Sequence, residues 1–127
     1  MCHESSGVAL GDSIGIGKGT VKLEDFSKAD LILVVGQNPG SNHPRMLSAL
    51  KAAKVAGASV VSINPLFETG MRRFKHPQDP LEVIGQGTTI ADMHVPVNVN
   101  GDLALFRGLS KSIISGSGID CDFISEY

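Results

Sequence analysis

Two short stretches of this sequence carry side chains that could do chemistry. Cys2 and His3 place a thiol beside an imidazole, and such a pair could bind a soft or borderline metal ion or act as a nucleophile with its base. The second stretch, Gly36 to His43 (GQNPGSNH), follows an apolar run and supplies amide groups and an imidazole for hydrogen bonding. The first stretch therefore indicates metal or covalent chemistry, and the second indicates ligand binding.

Each stretch also has an ordinary explanation. No second cluster of metal ligands in this chain is spaced to work with Cys2 and His3, so spacing alone leaves the pair without a role. Loops between strands and helices are commonly polar and rich in glycine. For Gly36 to His43, a nucleotide site and a plain connection therefore both stay open.

A further glycine-rich segment, GDSIGIGKGT at residues 11–20, resembles a phosphate-binding loop only superficially. The Walker pattern requires a glycine five positions before Gly17 and a hydroxyl residue after Lys18. Asp12 and Gly19 occupy those two positions, and no strand pattern precedes the segment. We predict a flexible connection here.

Predicted strands and helices, which must position these residues, alternate along the chain. Leu31 to Val35 is a run of aliphatic residues, typical of a strand covered on both faces, and Ser59 to Ile63 is a second strand. Between them, apolar residues recur at three- and four-residue spacings from Pro44 to Gly57. This pattern predicts a helix with proline in its first turn and a glycine cap. The unit predicts two parallel strands joined by a right-handed crossover.

Shorter elements complete the pattern. We predict a short polar helix over Thr20–Ala29, a helical turn over Glu68–Phe74 and a third strand over Met93–Val99, which Pro96 places at an edge or a bulge. Residues 100–102 (NGD) offer the N-cap of a last long helix. The alternation predicts an α/β, Rossmann-like three-layer domain with a small, mainly parallel sheet flanked by helices.

Polar loops of small residues follow all three predicted strands. The carboxyl ends of parallel strands lie side by side at one edge of a sheet, where α/β proteins bind ligands. The loop from Gly36 to His43 leads into a helix N-terminus, whose free N–H groups favour an anion such as phosphate. Together with the loops that begin at Asn64 and Asn100, it favours a nucleotide site.

The composition limits the class of protein. A length of 127 residues is typical of one domain, and 42% hydrophobic residues indicate a globular chain. A net charge of −2 and the absence of tryptophan argue against nucleic-acid binding. No stretch approaches the roughly 20 apolar residues of a membrane span, and the two cysteines, Cys2 and Cys121, make no disulfide framework. We therefore predict a cytoplasmic protein.

Taken together, six motifs resemble one known family. They occur in the order seen in molybdopterin-dependent oxidoreductases, and they look closest to the formate dehydrogenase-like alpha-subunit branch of the dimethyl sulfoxide reductase superfamily. The resemblance covers nearly the whole chain. The motifs are MCHESSGVALGDSIGIGKGT, ADLILVVGQNPGSNHPRML, INPL, RFKHPQ, GTTIAD and NGDLAL.

The resemblance implies that this chain is an internal domain of a longer enzyme. Residues 1–20 would lie next to the active site, and residues 21–127 would form the α/β unit that binds molybdopterin guanine dinucleotide. The resemblance further implies six contacts to the guanine dinucleotide arm. These are Gly36, Asn38 and His43 in the first loop, Asn64 in the second, and Gly101 and Asp102 in the third.

The resemblance also gives roles to the first stretch. Cys2 matches the cysteine or selenocysteine that ligates molybdenum, and His3 matches a neighbouring histidine implicated in proton handling. The implied cofactors are molybdopterin guanine dinucleotide and a molybdenum or tungsten ion, with an iron–sulfur cluster in a preceding part of the enzyme. The implied partners are the pterin, the remaining domains of the parent chain and a small-molecule substrate. The intact enzyme would perform two-electron, formate-like redox chemistry, and the chain alone would be inactive.

A different class of function needs only the three loops. A free-standing module that binds a guanine mononucleotide would use them without any redox role and would leave Cys2 unused. A domain that serves only to bind a protein partner is a third alternative.

Overall fold

The computed structural model describes residues 4–75 and 84–126, so Cys2, His3 and His76 lie outside the described residues. No helix within these two ranges is long and apolar enough to cross a membrane. The strands are β1 (Leu31–Val35), β2 (Ser59–Ile63) and β3 (Met93–Val95). The helices are α1 (Glu4–Ile14), α2 (Pro39–Asn42), α3 (Pro44–Val55), α4 (Thr69–Arg72), α5 (Asp102–Ser115) and α6 (Cys121–Glu126), with a 3₁₀ helix at Leu23–Lys28.

The three strands form one parallel sheet in the order β1-β2-β3. In the register, Leu31 lies opposite Ser59, and Val61 lies opposite Met93. This sheet, flanked by helices, confirms the α/β fold class and the predicted strand–helix–strand unit. Helix α3 begins at Pro44, as predicted, and Gly57 follows it with a φ of +111°, a conformation that favours glycine at the end of a helix.

The hydrophobic core lies on one face of the sheet. Right-handed crossovers that advance in the same direction along a sheet place their connections on the same face. Here α3 and the segment between β2 and β3 both contribute to this face. The buried cluster comprises Val34, Leu47, Leu50, Val60, Met71, Phe74, Ile90 and Ala91.

The opposite face of the sheet is exposed along its edge strands, although Ile63 in the central strand β2 is buried there. Leu31, Leu33 and Val35 in β1 are 57%, 40% and 38% exposed, and Met93 in β3 is 58% exposed. The prediction that β1 is covered on both faces is therefore wrong for the described residues, because both crossovers occupy the other face. Helices α1, α5 and α6 bury no side chain. The chain exposes 9464 Å² of surface, whereas a compact protein of its mass exposes about 6,500 Å².

Several elements differ from the sequence predictions in extent. The predicted flexible segment contains the end of α1, which continues to Ile14 despite its two glycines. The predicted helix Thr20–Ala29 is a shorter 3₁₀ helix, in which Leu23 is exposed. Strand β3 ends at Val95 because Pro96 has no N–H to continue the ladder. Gly101 is the N-cap of α5 and provides no side-chain cap.

Asp92 joins three elements at the amino end of β3. Its Oδ2 accepts a hydrogen bond from the Val60 N–H at 2.8 Å, and its Oδ1 lies 2.5 Å from Lys54 Nζ. The Asp92 N–H also donates to the Val60 carbonyl. The hydrogen bond from Lys54, followed by that from Val60, holds the pKa of the Asp92 carboxyl below its ordinary value of 3.8. The carboxylate therefore ties β3 to both β2 and α3.

We expect the Asp92→Asn substitution to lower the free energy of unfolding, by an amount that depends on pH. Because the folded-state pKa is lowered, the stabilisation is complete above the ordinary pKa and is lost as the pH falls below about 4. The side chain is 46% exposed, so the effect should be below about 1 kcal/mol at neutral pH. Urea unfolding of both proteins at several pH values measures it. An Asp12→Asn control on exposed α1 should match the wild type, and a difference for Asp92→Asn that persists unchanged at low pH would contradict the assignment.

Candidate functional site

The first loop begins with a backbone turn that favours glycine. Gly36 has a φ of +62°, and its N–H donates to the Ile63 carbonyl at 2.8 Å. The left-handed conformation turns the chain away from β1 while the hydrogen bond keeps it attached to β2. Gly36 is exposed, and a Cβ built there meets nothing within 4 Å. A ligand could therefore approach the backbone closely at this position.

Gln37 connects the first loop to the second. Its Nε2 lies 3.1 Å from His43 Nδ1, and its carbonyl accepts a hydrogen bond from Asn64 Nδ2 at 3.5 Å. The Asn64 N–H donates to the Val95 carbonyl at the end of β3. His43 and Asn64, which lie 21 positions apart in sequence, thus belong to one group of polar residues at the carboxyl edge of the sheet.

Asn38 organises the loop from within. Its Oδ1 accepts a hydrogen bond from the Ser41 N–H at 3.3 Å, which caps α2, and its Nδ2 lies 3.2 Å from Ser41 Oγ. The same Nδ2 donates to Glu68 Oε2 at 2.9 Å. Asn38 therefore holds the loop after β1 against the segment after β2.

A contact between two glycines fixes the same two segments. A Cβ built on Gly70 would lie 2.8 Å from the Cα of Gly40, and one built on Gly40 would lie 3.0 Å from the Cα of Gly70. The backbones of α2 and α4 thus touch where neither residue has a side chain. This close approach sets the distance at which Glu68 faces Asn38.

The third loop contributes less to this group. Gly101 donates its N–H to the Asn98 carbonyl at 2.8 Å, and a Cβ there would lie 2.9 Å from that oxygen. Asp102 is exposed in the first turn of α5. Within residues 4–75 and 84–126, no hydrogen bond joins Gly101 or Asp102 to the first two loops.

Sequence reasoning missed two residues of the site. Gln37 joins the predicted residues His43 and Asn64, and Glu68 accepts a hydrogen bond from the predicted residue Asn38. Gln37 lies inside the predicted loop and could have been proposed from its amide side chain. Glu68 lies beyond the second loop, and only the tertiary contact of α2 with α4 brings it to Asn38.

A stack of three side chains lies beside the second loop. The rings of Phe67 and His94 are parallel within 6° with centroids 4.5 Å apart, and the Arg72 guanidinium lies 4.7 Å from the Phe67 centroid. Parallel packing and a cation–π contact both stabilise such an arrangement. The stack anchors the segment that follows Asn64 to β3.

The described part of the site provides chemistry for binding. Amide, imidazole and backbone groups supply donors and acceptors, and the positive end of the α3 dipole lies at His43. No group of three His, Cys, Asp or Glu side chains in residues 4–75 and 84–126 could hold a metal ion. Cys2 and His3, for which a metal was predicted, lie outside those residues.

Comparisons with known proteins identify the family. Residues 2–118 match the molybdopterin oxidoreductase family. The chain is 51% identical over its full length to an uncharacterized oxidoreductase of Mycobacterium tuberculosis and 49% identical, over 90% of its length, to the protein YdeP of Escherichia coli. It is also 26% identical over its full length to the formate dehydrogenase subunit alpha of Megalodesulfovibrio gigas.

The chain spans only a small part of each relative. It covers 17% of the mycobacterial oxidoreductase, 15% of YdeP and 11% of the formate dehydrogenase subunit. The match to the family nevertheless extends over almost all of this chain and includes every loop described above. The chain therefore belongs to the molybdopterin oxidoreductase family.

Proposed function

We propose that this chain is the domain of a larger, cytoplasmic molybdopterin oxidoreductase that holds the guanine dinucleotide arm of the cofactor. The observation that carries the proposal is the hydrogen-bonded group of Gln37, His43 and Asn64 at the carboxyl edge of the sheet, beside Asn38, which is bonded to Ser41 and Glu68. This edge is where open α/β sheets bind nucleotides.

The residues present fit a nucleotide diphosphate. Gly36 is exposed and has no side chain, so a phosphate could approach the backbone of the first loop closely at this turn, while the Gly36 N–H itself stays bonded to Ile63. Helix α3 adds the positive end of its dipole next to His43. Asn64 and the third loop, with Gly101 and Asp102, would contact the base or the sugar from the other side.

The intact enzyme would carry out two-electron redox chemistry of the formate dehydrogenase type. When bound, the pterin cofactor supplies the redox-active molybdenum or tungsten centre. Cys2 would provide a soft thiolate ligand to that metal, and His3 would hold or move a proton beside it. The described residues bind and orient the nucleotide end of the cofactor, away from the reacting atoms.

The surface of the chain supports its place within a larger protein. The open sheet face carries Leu31, Leu33 and Met93, and α5 buries none of its side chains. The 9464 Å² of exposed surface exceeds that of a compact protein of this mass by about 3,000 Å². We expect further domains of the parent chain to cover these faces. The isolated chain should therefore bind without catalysing.

Cofactor analysis of the enzyme purified from its source cells tests the proposal. We expect a polypeptide several times longer than 127 residues that contains pterin and releases guanine nucleotide on hydrolysis of the cofactor. The Asn38→Ala variant removes the side chain that links Ser41 and Glu68, so cofactor affinity should fall about tenfold.

Two outcomes would decide against the proposal. A Gln86→Ala control, which removes an exposed amide outside the loops, should retain the cofactor; equal losses in both variants would contradict a specific role for Asn38. A native product of about 13.3 kDa without pterin would instead support the free-standing nucleotide-binding module.

A further inference from the structure

The Glu68 side chain lies at the site, and only one of its two carboxylate oxygens has a hydrogen bond in the described part of the chain. It is half-buried, and its Oε2 accepts the hydrogen bond from Asn38 Nδ2 at 2.9 Å. Within the described part of the chain, Oε1 has no hydrogen-bond partner and no cation lies within 4.0 Å of the carboxylate. One oxygen therefore fixes the side chain, and the other can accept a hydrogen bond from a ligand.

The backbone around Glu68 holds this carboxylate in place. Glu68 directly precedes α4, and its carbonyl accepts the N–H groups of Met71 and Arg72 at 3.0 and 3.2 Å. Two residues further on, Gly70 rests against Gly40. The carboxylate thus opens onto a groove of about 510 Å³ between the two segments, lined in part by Asn38, Gly40, Ser41, Thr69 and Arg73.

The negative charge of Glu68 determines which part of a nucleotide can lie next to its side chain. A carboxylate repels phosphate and accepts hydrogen bonds from hydroxyl or N–H donors. In doubly wound nucleotide-binding sheets, a carboxylate after the second strand accepts the ribose hydroxyl groups. Here the residue after β2 is Asn64, whose amide is engaged with the Gln37 carbonyl and, at 3.4 Å, the Leu66 N–H. Glu68 is the carboxylate that lies next along the chain.

We propose that Glu68 is a specificity-determining residue that accepts hydrogen bonds from the ribose hydroxyl groups of the bound guanine nucleotide. This inference rests on the proposed function, because it requires a nucleotide at these loops. Glu68 then distinguishes ribonucleotides from nucleotides that lack the ribose hydroxyl groups. Asn38, which holds the carboxylate, acts as its positioning residue.

Binding of three nucleotides to this 127-residue chain tests the assignment. We would titrate the wild type with GDP, 2′,3′-dideoxy-GDP and IDP, which lacks the 2-amino group of guanine, using ligand-detected NMR at millimolar concentration. The wild type should bind GDP about tenfold more tightly than the dideoxy nucleotide, as expected for one hydrogen bond to a charged acceptor. In Glu68→Gln this ratio should fall to about one, because the amide oxygen of the variant remains able to hold Asn38 while the charged acceptor is lost.

A matched control removes the same charge elsewhere. Glu126→Gln alters an exposed carboxylate on α6 and should keep the wild-type ratio of GDP to dideoxy-GDP affinity. An unchanged ratio in Glu68→Gln overturns the inference. A change confined to the ratio of GDP to IDP also overturns it, because Glu68 would then contact the base.

The remaining outcomes separate this inference from the proposed function. If Glu68→Gln weakens all three nucleotides equally, Glu68 only supports the loop through Asn38, and the ribose assignment is wrong while the nucleotide site stands. If the wild type binds none of the three, the nucleotide site in this chain and the role of Glu68 both fail.

Discussion

Replacing Cys2 with serine in the full-length oxidoreductase should reduce turnover by a factor on the order of 10³ or more. If Cys2 is the metal ligand that the family resemblance implies, serine substitutes a harder oxygen donor for a soft thiolate and weakens the bond to the metal. In the proposed function the nucleotide end of the cofactor is held by the loops of Asn38 and Asn64, which are far from Cys2 in the sequence. Pterin and guanine content should therefore stay near the wild-type level. Activity assays, cofactor analysis and the number of sulfur ligands from X-ray absorption measure the three quantities.

The second cysteine of the chain provides the matched control. Cys121 is free and exposed at the start of α6, so Cys121→Ser should leave activity, cofactor content and sulfur ligation unchanged. Full turnover by the Cys2→Ser enzyme would remove Cys2 from the metal site. Loss of the whole cofactor would show instead that the segment around Cys2 has a structural role.

Replacing Gly70 with alanine should destabilise the fold by about 2 kcal/mol and weaken nucleotide binding as well. The new Cβ would lie 2.8 Å from the Cα of Gly40, and that neighbour is backbone and cannot rotate away. Separating α2 from α4 would also move Glu68 away from Asn38. Denaturant unfolding measures the first effect, and titration with GDP measures the second.

Gly108 offers the same substitution without the clash. It lies within α5, and a Cβ built there meets nothing within 4 Å. Gly108→Ala should therefore stabilise the helix by about 0.5–1 kcal/mol and leave GDP binding unchanged. A Gly70→Ala protein as stable as the wild type would mean that the two segments can separate at little cost, and the contact would not set the geometry of the site.

The proposed site depends on contacts between loops more than on any single motif. His43 and Asn64 were predicted individually, but the hydrogen bonds that join them pass through Gln37, and Asn38 is bonded to Glu68 in the segment after β2. Gly101 and Asp102 remain local in their described contacts. A nucleotide that contacts all three loops would connect Gly101 and Asp102 to the first two loops, to which no hydrogen bond joins them within the described residues.

The sequence by itself determined the α/β class, strands β1 and β2 and the start of α3 at Pro44. These features depend on the spacing of apolar residues and on the positions of proline and glycine, which determine secondary structure within short segments of the chain. The resemblance of its motifs also identified the family. Only the tertiary structure decided that one sheet face stays open and that Glu68 meets Asn38. The first follows from the packing of both crossover segments on the other face, and the second follows from the contact of Gly40 with Gly70; both are contacts between segments distant in sequence.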